Sequence, residues 1–372
     1  MSEPNTPLFW PSRLELARRR RGLTRTRLAA ALGVGVRTLQ RWERGEAEPS
    51  GEQQQQLGRV LGVLSDFFIS DELDALPTSS VSFRALSKMT AGERDTALAA
   101  GRLGIELMEW LETQFQLPTP AVPTLPEWNP ETAADSVRAR WELGERPIPQ
   151  LLPLLELHGV RVLSLAPDTK SVDAFSFYWR GTPYIFLDTS KSAERLRFDA
   201  AHELGHLVLH CEHGEPQGRV AETEAHRFAS ALLMPRGSVY AANLRGASTE
   251  QVLRAKTRWR VAAMALAHRL NELDLLTEWG YRALCIELSR RGYRRGEPDA
   301  STPHETSQVL GKVLRALRQR GMTPVDIAAR FGWNEAELTG YIFGLTVTAL
   351  DGQQTVITPP QRPSLRVVRG QR

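Results

Sequence analysis

Residues 198–206 read Phe-Asp-Ala-Ala-His-Glu-Leu-Gly-His, and residues 222–229 read Glu-Thr-Glu-Ala-His-Arg-Phe-Ala. His202 and His206 stand four apart, which on a helix puts both imidazoles on one face, close enough to hold a single metal ion. Glu203, between them, can reach a water on such an ion as a general base. Sixteen residues past His206, Glu222 opens a second helical pattern and offers a third ligand. Two imidazoles and one carboxylate leave the fourth corner of a tetrahedral zinc open, as catalysis requires. The pattern points to zinc-dependent hydrolysis.

The surroundings fit that reading. Ala193 to Leu209 is apolar at helical spacing, with Leu196, Ala200, Leu204 and Leu207 on one side. Gly205 costs about 1 kcal/mol in a helix interior relative to alanine, so its expected use is the close approach of another backbone segment. Upstream, Val160–Leu165, Ala174–Trp179 and Pro183–Leu187 read as strands, the last two joined by a turn at Arg180-Gly-Thr. A small sheet before the zinc helix offers an edge to which an extended substrate can pair. His210 reads as a surface group complementing a helix C-terminus, and Cys211 as a buried or idle thiol. Ala225, Phe228, Ala229, Leu232 and Leu233 recur at helical spacing and read as core, with Met234-Pro235 ending that helix. Tyr178, Tyr184 and Tyr240 are the candidate donors to a tetrahedral oxyanion.

With 372 residues the chain has room for two or three domains. Its 41% hydrophobic and 24% charged residues are ordinary for a globular protein. No run approaches 18 uncharged apolar residues, so no transmembrane helix and no membrane partner are expected. The first residues, Met-Ser-Glu-Pro-Asn-Thr-Pro, lack the basic-then-apolar signature of a secretory signal. Two cysteines make no disulfide framework, which favours a cytoplasmic location. Net charge is only +4 but uneven. Arg13, Arg18, Arg19, Arg20, Arg21, Arg25 and Arg27 crowd the first thirty residues and suggest a polyanionic partner.

That cluster lies in a run of short helices. Arg13–Arg21 is the first, and Thr24 caps the second, Arg25–Leu32. Gly33 ends it, and Gly35 turns into Val36–Arg44, whose buried stripe is expected to be Val36, Leu39 and Trp42. A fourth helix follows from Glu52. Helix, glycine turn, helix is the helix-turn-helix pattern, and its second helix would enter the major groove of double-stranded DNA. Arg37, Thr38, Gln40 and Arg41 face outward on that helix as base readers. Thr24, Arg25 and Arg44 are placed for phosphates.

The string Leu23-Thr-Arg-Thr-Arg-Leu-Ala-Ala-Ala-Leu-Gly-Val-Gly-Val-Arg-Thr-Leu-Gln-Arg-Trp-Glu-Arg-Gly45 resembles the XRE family, the Cro/CI-type helix-turn-helix domains. Residues 199–235 resemble the ImmA/IrrE metallopeptidases, through His-Glu-Leu-Gly-His-Leu-Val-Leu-His and Glu-Thr-Glu-Ala-His-Arg-Phe-Ala-Ser-Ala-Leu-Leu-Met-Pro. Together the two cover most of residues 13–280. The resemblance implies a minimal zincin holding Zn2+ through His202, His206 and a glutamate within 222–224, with Glu203 catalytic. Glu224 points about 200° around the helix from Glu222, so the two cannot both face the ion. Glu222, which begins the Glu-x-x-Ala arrangement of other zincins, is the favoured ligand, and Glu224 then an exposed charge or ion-pair partner. The position four past Glu222 is often Asn or Asp in such proteins, where it orients a zinc histidine from behind. Here it is His226.

The chain divides into six expected parts: an XRE-like DNA-binding domain at 10–70, a helical connector with a Pro-rich linker at 71–130, and a zincin-like domain at 131–245. Then come a helical segment at 246–296, read equally as a helix-turn-helix fragment or a lid on the zinc domain, and a C-terminal helical region at 297–350. Residues 351–372 form a basic tail expected to be disordered. Within the fifth part, 324–331 and 335–343 make another two-helix pattern joined by Gly332-Trp-Asn, and 296–306 reads as a polar linker. The fold class is α+β and predominantly helical. The expected function is a DNA-binding transcriptional regulator whose zinc endopeptidase domain cuts a partner protein. The family resemblance makes that partner a repressor in a stress or mobile-element response, and raises a homodimer, since XRE-like domains often act as dimers. The competing reading is a DNA-binding repressor whose zinc domain senses a ligand or supports the fold without cleaving anything.

Overall fold

The computed structural model describes residues 9–76, 81–83, 90–165, 174–210, 218–299 and 302–346, and of 81–83 only the backbone. Cys211, His213 and the tail at 351–372 lie outside the described residues. The fold class is the expected one: helices surround one small sheet. The first four helices are α1 (Pro11–Arg20), α2 (Arg25–Leu32), α3 (Val36–Glu43) and α4 (Gly51–Leu61). Strand β1 (Val81–Phe83) and the long α5 (Ala91–Gln114) follow, then α6 (Pro130–Arg140), α7 (Leu151–Leu157) and strands β2 (Arg161–Ser164), β3 (Ala174–Trp179) and β4 (Thr182–Leu187). The remaining helices are α8 (Ala193–Leu209), α9 (Arg219–Leu233), α10 (Arg236–Tyr240), α11 (Thr249–Trp259), α12 (Ala263–Glu272), α13 (Glu278–Arg290), α14 (Gln308–Gln319), α15 (Pro324–Arg330) and α16 (Glu335–Ile342).

The sheet runs in the order β1-β3-β4-β2. β3 and β4 form a hairpin closed by the Trp179–Thr182 pair, with Arg180 and Gly181 both at positive φ (+48° and +81°), the primed-turn geometry that matches strand twist. β2 lies parallel to β4. β1 adds antiparallel to β3, with Ser82 opposite Ser176. That fourth strand comes from the end of a stretch, 71–82, whose Pro77 and Thr-Ser-Ser-Val-Ser run read as linker. Three residues carry no periodicity, and only pairing makes them a strand.

Along β3 the side chains alternate, as the period of two requires. Phe175 and Phe177 face α5, where they stack with Phe186 and Tyr184 (Phe175–Phe186 ring centroids 4.7 Å apart). Gly101 and Gly104 let α5 lie close: a Cβ on Gly104 would stand 2.7 Å from the Phe186 ring. Ser176 faces the other way, onto α8. The sheet is thus a layer between α5 and α8, and α8 is almost wholly buried.

α9 crosses α8 at Gly205. A Cβ there would meet Phe228 Cδ1 at 3.0 Å and Ala225 Cα at 3.1 Å, so the glycine serves the close approach that its cost predicts. Arg138 of α6 donates to the carbonyls of Leu232, Gly144 and Arg146, and Arg269 of α12 pairs with Glu131 of α6 at 2.5 Å and 2.8 Å. In the polar stretch at 296–306, the described residues Glu297 and Glu305 are anchored. Glu297 meets Lys256 at 2.7 Å, and Glu305 meets Arg197 and accepts from Leu152 N at 2.7 Å. Composition reports polarity there but not the buried partners that make it structural.

Of the C-terminal helices, α16 and the turn before it lie between the N-terminal helices and the sheet, while α14 starts on Glu156 of α7. Leu64 N donates to Gly332 O at 2.7 Å, Asn334 Nδ2 to Gly62 O at 2.7 Å, and Arg20 Nε to Glu337 at 2.7 Å. Thr189 Oγ1, just past β4, donates to Phe343 O at 2.9 Å.

Candidate metal centre and nucleic-acid interface

Ser192 caps α8, which then carries His202, Glu203 and His206 without a break to Leu209. His202 and His206 are 1% and 3% exposed, and their Nε2 atoms face each other at 3.1 Å. Across the α8–α9 contact, Glu222 places one carboxylate oxygen 3.4 Å from His202 Nε2 and the other 3.3 Å from His206 Nε2. A tetrahedral zinc with bonds of about 2.0–2.1 Å holds its ligand atoms roughly 3.3 Å apart. The triangle of donors has that size, so the residues present fit the ion. His202, His206 and Glu222 are also the one candidate metal cluster among the described residues. Burial pushes the Glu222 carboxyl up, but hydrogen bonds and charge from the two histidines outweigh it and bring it down to about 2.

Glu203 is fully buried, and its Oε2 accepts from Ser176 Oγ at 2.7 Å. It therefore sits between α8 and β3, held by the strand that lies over the zinc helix. His202 and Glu222 open instead onto a cavity of about 650 Å³ walled by His226, Arg227, His268 and Glu272. His226 stands beside His202, ring centroids 6.4 Å apart, and beside His268 at 5.5 Å. The hydrogen bond that His268 donates to the Glu272 carboxylate raises His268 above the ordinary imidazole value, against the effect of burial. α12 walls this cavity through His268, Arg269 and Glu272. Tyr178, Tyr184 and Tyr240 are not among the described residues lining it. Tyr184 is 1% exposed in the sheet, and Tyr240 places its hydroxyl 3.3 Å from Leu273 O.

His210 departs from the sequence reading. It is not a surface group: its side chain is only 6% exposed, and its Nδ1 lies 3.0 Å from His206 Nδ1. Its Nε2 lies 3.0 Å from Glu224 Oε2, so Glu224 is an ion-pair partner and not a free charge. Burial holds His210 below the ordinary imidazole value. The signal available in the sequence was the i, i+4, i+8 run of histidines. A periodic histidine placed after two ligands can back the second of them.

In the N-terminal helices, Thr24 Oγ1 accepts from Arg27 N at 3.2 Å and Gly33 closes α2 at φ +66°, as the sequence predicts. Arg37, Thr38 and Arg41 on α3 and Arg44 after it are exposed, and Gln40 is half-buried. Leu39 and Trp42 point inward, but Val36 is 36% exposed and does not complete the expected stripe. The basic cluster divides. Arg13, Arg18 and Arg20 are buried and bound to Glu106, Glu43 and Glu337. Arg21 donates to Leu61 O and meets Glu337 at 3.2 Å. Arg25, expected at a phosphate, pairs with Glu43 at 2.5 Å. These charges therefore serve the fold first. Counting arginines cannot separate them from α3, where the charge faces solvent.

Residues 155–271 match the family model of the IrrE N-terminal-like domain, Peptidase M78, and residues 14–68 match the helix-turn-helix model. No curated protein matches the chain. The first match covers β2–β4 of the sheet, α8–α11 and most of α12, but not β1, and marks a metallopeptidase-type domain of a generally zinc-dependent family. The second covers α1–α4 and marks a DNA-binding module. No helix among the described residues is long and apolar enough to cross a membrane.

Proposed function

We propose that the chain, an ImmA/IrrE-type protein with an N-terminal XRE-type helix-turn-helix, is a DNA-binding transcriptional regulator whose zincin domain hydrolyses a peptide bond in a partner protein, a repressor by family resemblance. The observation that carries this is the triangle of His202, His206 and Glu222 at 3.1–3.4 Å, of which His202 and Glu222 line a cavity of about 650 Å³. His202, His206 and Glu222 would hold the zinc, which when bound acidifies a water and polarises a carbonyl. Glu203 takes the proton of the attacking water and passes it to the leaving amine. Ser176 keeps that carboxylate fixed at 2.7 Å until it acts. His268, kept toward its protonated form by Glu272, faces the same cavity and supplies a donor to the tetrahedral oxyanion. Arg37, Thr38, Gln40 and Arg41 read bases, and Arg44 meets phosphate.

One observation favours the non-proteolytic reading. Glu203 is fully buried, and β1 already occupies the edge of β3. A substrate adding a strand there must take the place of β1. The test uses the purified, zinc-loaded chain and a proteome-derived peptide library, read by mass spectrometry. New termini with the wild type, lost in Glu203→Gln with zinc content unchanged, support proteolysis. A zinc-replete wild type that cuts neither peptides nor co-expressed repressor leaves the sensor reading standing.

A further inference from the structure

We propose that His210 and Glu224 are positioning residues that fix the tautomer and ring plane of His206. The inference rests on the metal-site reading above. His202, His206 and His210 recur every four residues, and each step of four turns the direction by about 40° on a 3.6-residue helix. The third ring is thus rotated roughly 80° from the first. It cannot join the same ion, but it can reach the back of the second ring.

The structure shows that contact. His206 turns Nε2 toward Glu222 and His202, and turns Nδ1 to His210 Nδ1 at 3.0 Å. His210 turns its other nitrogen to Glu224 Oε2 at 3.0 Å. Donor and acceptor roles then follow without choice. A ligating Nε2 offers its lone pair to the ion, so the His206 proton sits on Nδ1 and is donated to His210 Nδ1. His210 must accept there, so its own proton sits on Nε2 and is donated to Glu224. A carboxylate at the end of the chain makes His210 a better acceptor, and His206 in turn a more basic ligand. The two glutamates of Glu222-Thr-Glu224 thereby divide the work: one faces the ion site, the other backs it through His210. His210 is also the C-cap of α8, with its N–H on His206 O at 2.9 Å, so its backbone is held independently of its ring.

The test measures zinc affinity by competition with a chromophoric chelator and the visible spectrum of the cobalt(II)-substituted chain. Wild type, His210→Ala, His210→Asn and Glu224→Ala are compared. His210→Ala should weaken zinc binding about 10–100-fold and shift the cobalt bands. Glu224→Ala, at a position 36% exposed and safe for folding, should show a smaller loss in the same direction. His210→Asn, whose amide oxygen can accept from Nδ1, should recover most of the affinity although it cannot repeat the full chain. Unchanged affinity and spectrum in both alanine variants would overturn the relay, as would an Asn variant no better than Ala. A wild-type chain that takes up no zinc sinks the metal site itself and the relay with it.

Discussion

The chain contains two three-helix units of nearly the same local construction and opposite use. In α1–α3, Gly22 at φ +62°, a Thr24 cap and Gly33 at φ +66° punctuate the helices. In α14–α16, Gly321 at φ +82°, a Thr323 cap and Gly332 at φ +67° do the same. The last helix of each is eight residues long. α3 turns its polar face to solvent, with Arg37, Thr38 and Arg41 free to meet a partner. α16 is buried: Glu337, Leu338, Tyr341 and Ile342 are each at most 3% exposed. Its acid meets Arg20 and Arg21 of the first unit, and the Tyr341 hydroxyl lies 3.1 Å from Ala100 O. The same motif thus leaves its third helix exposed at one end, where we propose it reads DNA, and buries it as a clamp at the other. What decides the role is the charge on the third helix and what lies over it.

The largest effect should fall on the clamp. Glu337→Ala removes the carboxylate shared by Arg20, Arg21 and Tyr341, and breaking a buried ion pair from one side costs about 3–5 kcal/mol. Urea unfolding monitored by tryptophan fluorescence measures it. A loss under 1 kcal/mol would mean that the docking does not depend on this pair. The reader should behave in the opposite way. Arg37→Ala and Arg41→Ala should each cost about 1–3 kcal/mol of specific DNA affinity while leaving the unfolding curve within about 0.5 kcal/mol. Intact operator selectivity in both variants would remove α3 from the major groove. The smallest effect tests the similarity itself. Thr24→Ala and Thr323→Ala each delete an N-cap and should each cost about 1 kcal/mol. Melting curves that differ several-fold between the two would show that the caps are not equivalent.

Much of this was legible in the sequence where a single element carries its own signal. The bounds of α8, the end of α9 at Met234-Pro235, the β3–β4 hairpin and the approach at Gly205 all follow from periodicity, capping residues or a costly glycine. That His202 and His206 share a face follows from their spacing, while Glu222 beside them is implied by the family resemblance rather than by spacing. What escaped depends on partners far along the chain. β1 is a strand only because β3 accepts it. Arg13 and Arg20 look like a basic surface until Glu106 and Glu337, 93 and 317 residues away, are brought to them. His210 looks terminal and wet until α9 covers it with Glu224. Composition registers the charge of a residue but not the burial of its counter-ion.

Gly205 has no functional group, yet it governs the chemistry next to it. The two helices that carry His202, His206 and Glu222 approach most closely here, with Ala225 Cα 3.1 Å from where a Cβ of Gly205 would stand, so the absence of a side chain permits their spacing. A methyl group there would act as a wedge, opening the gap by tenths of an ångström, the scale that separates a bonded oxygen from a merely neighbouring one.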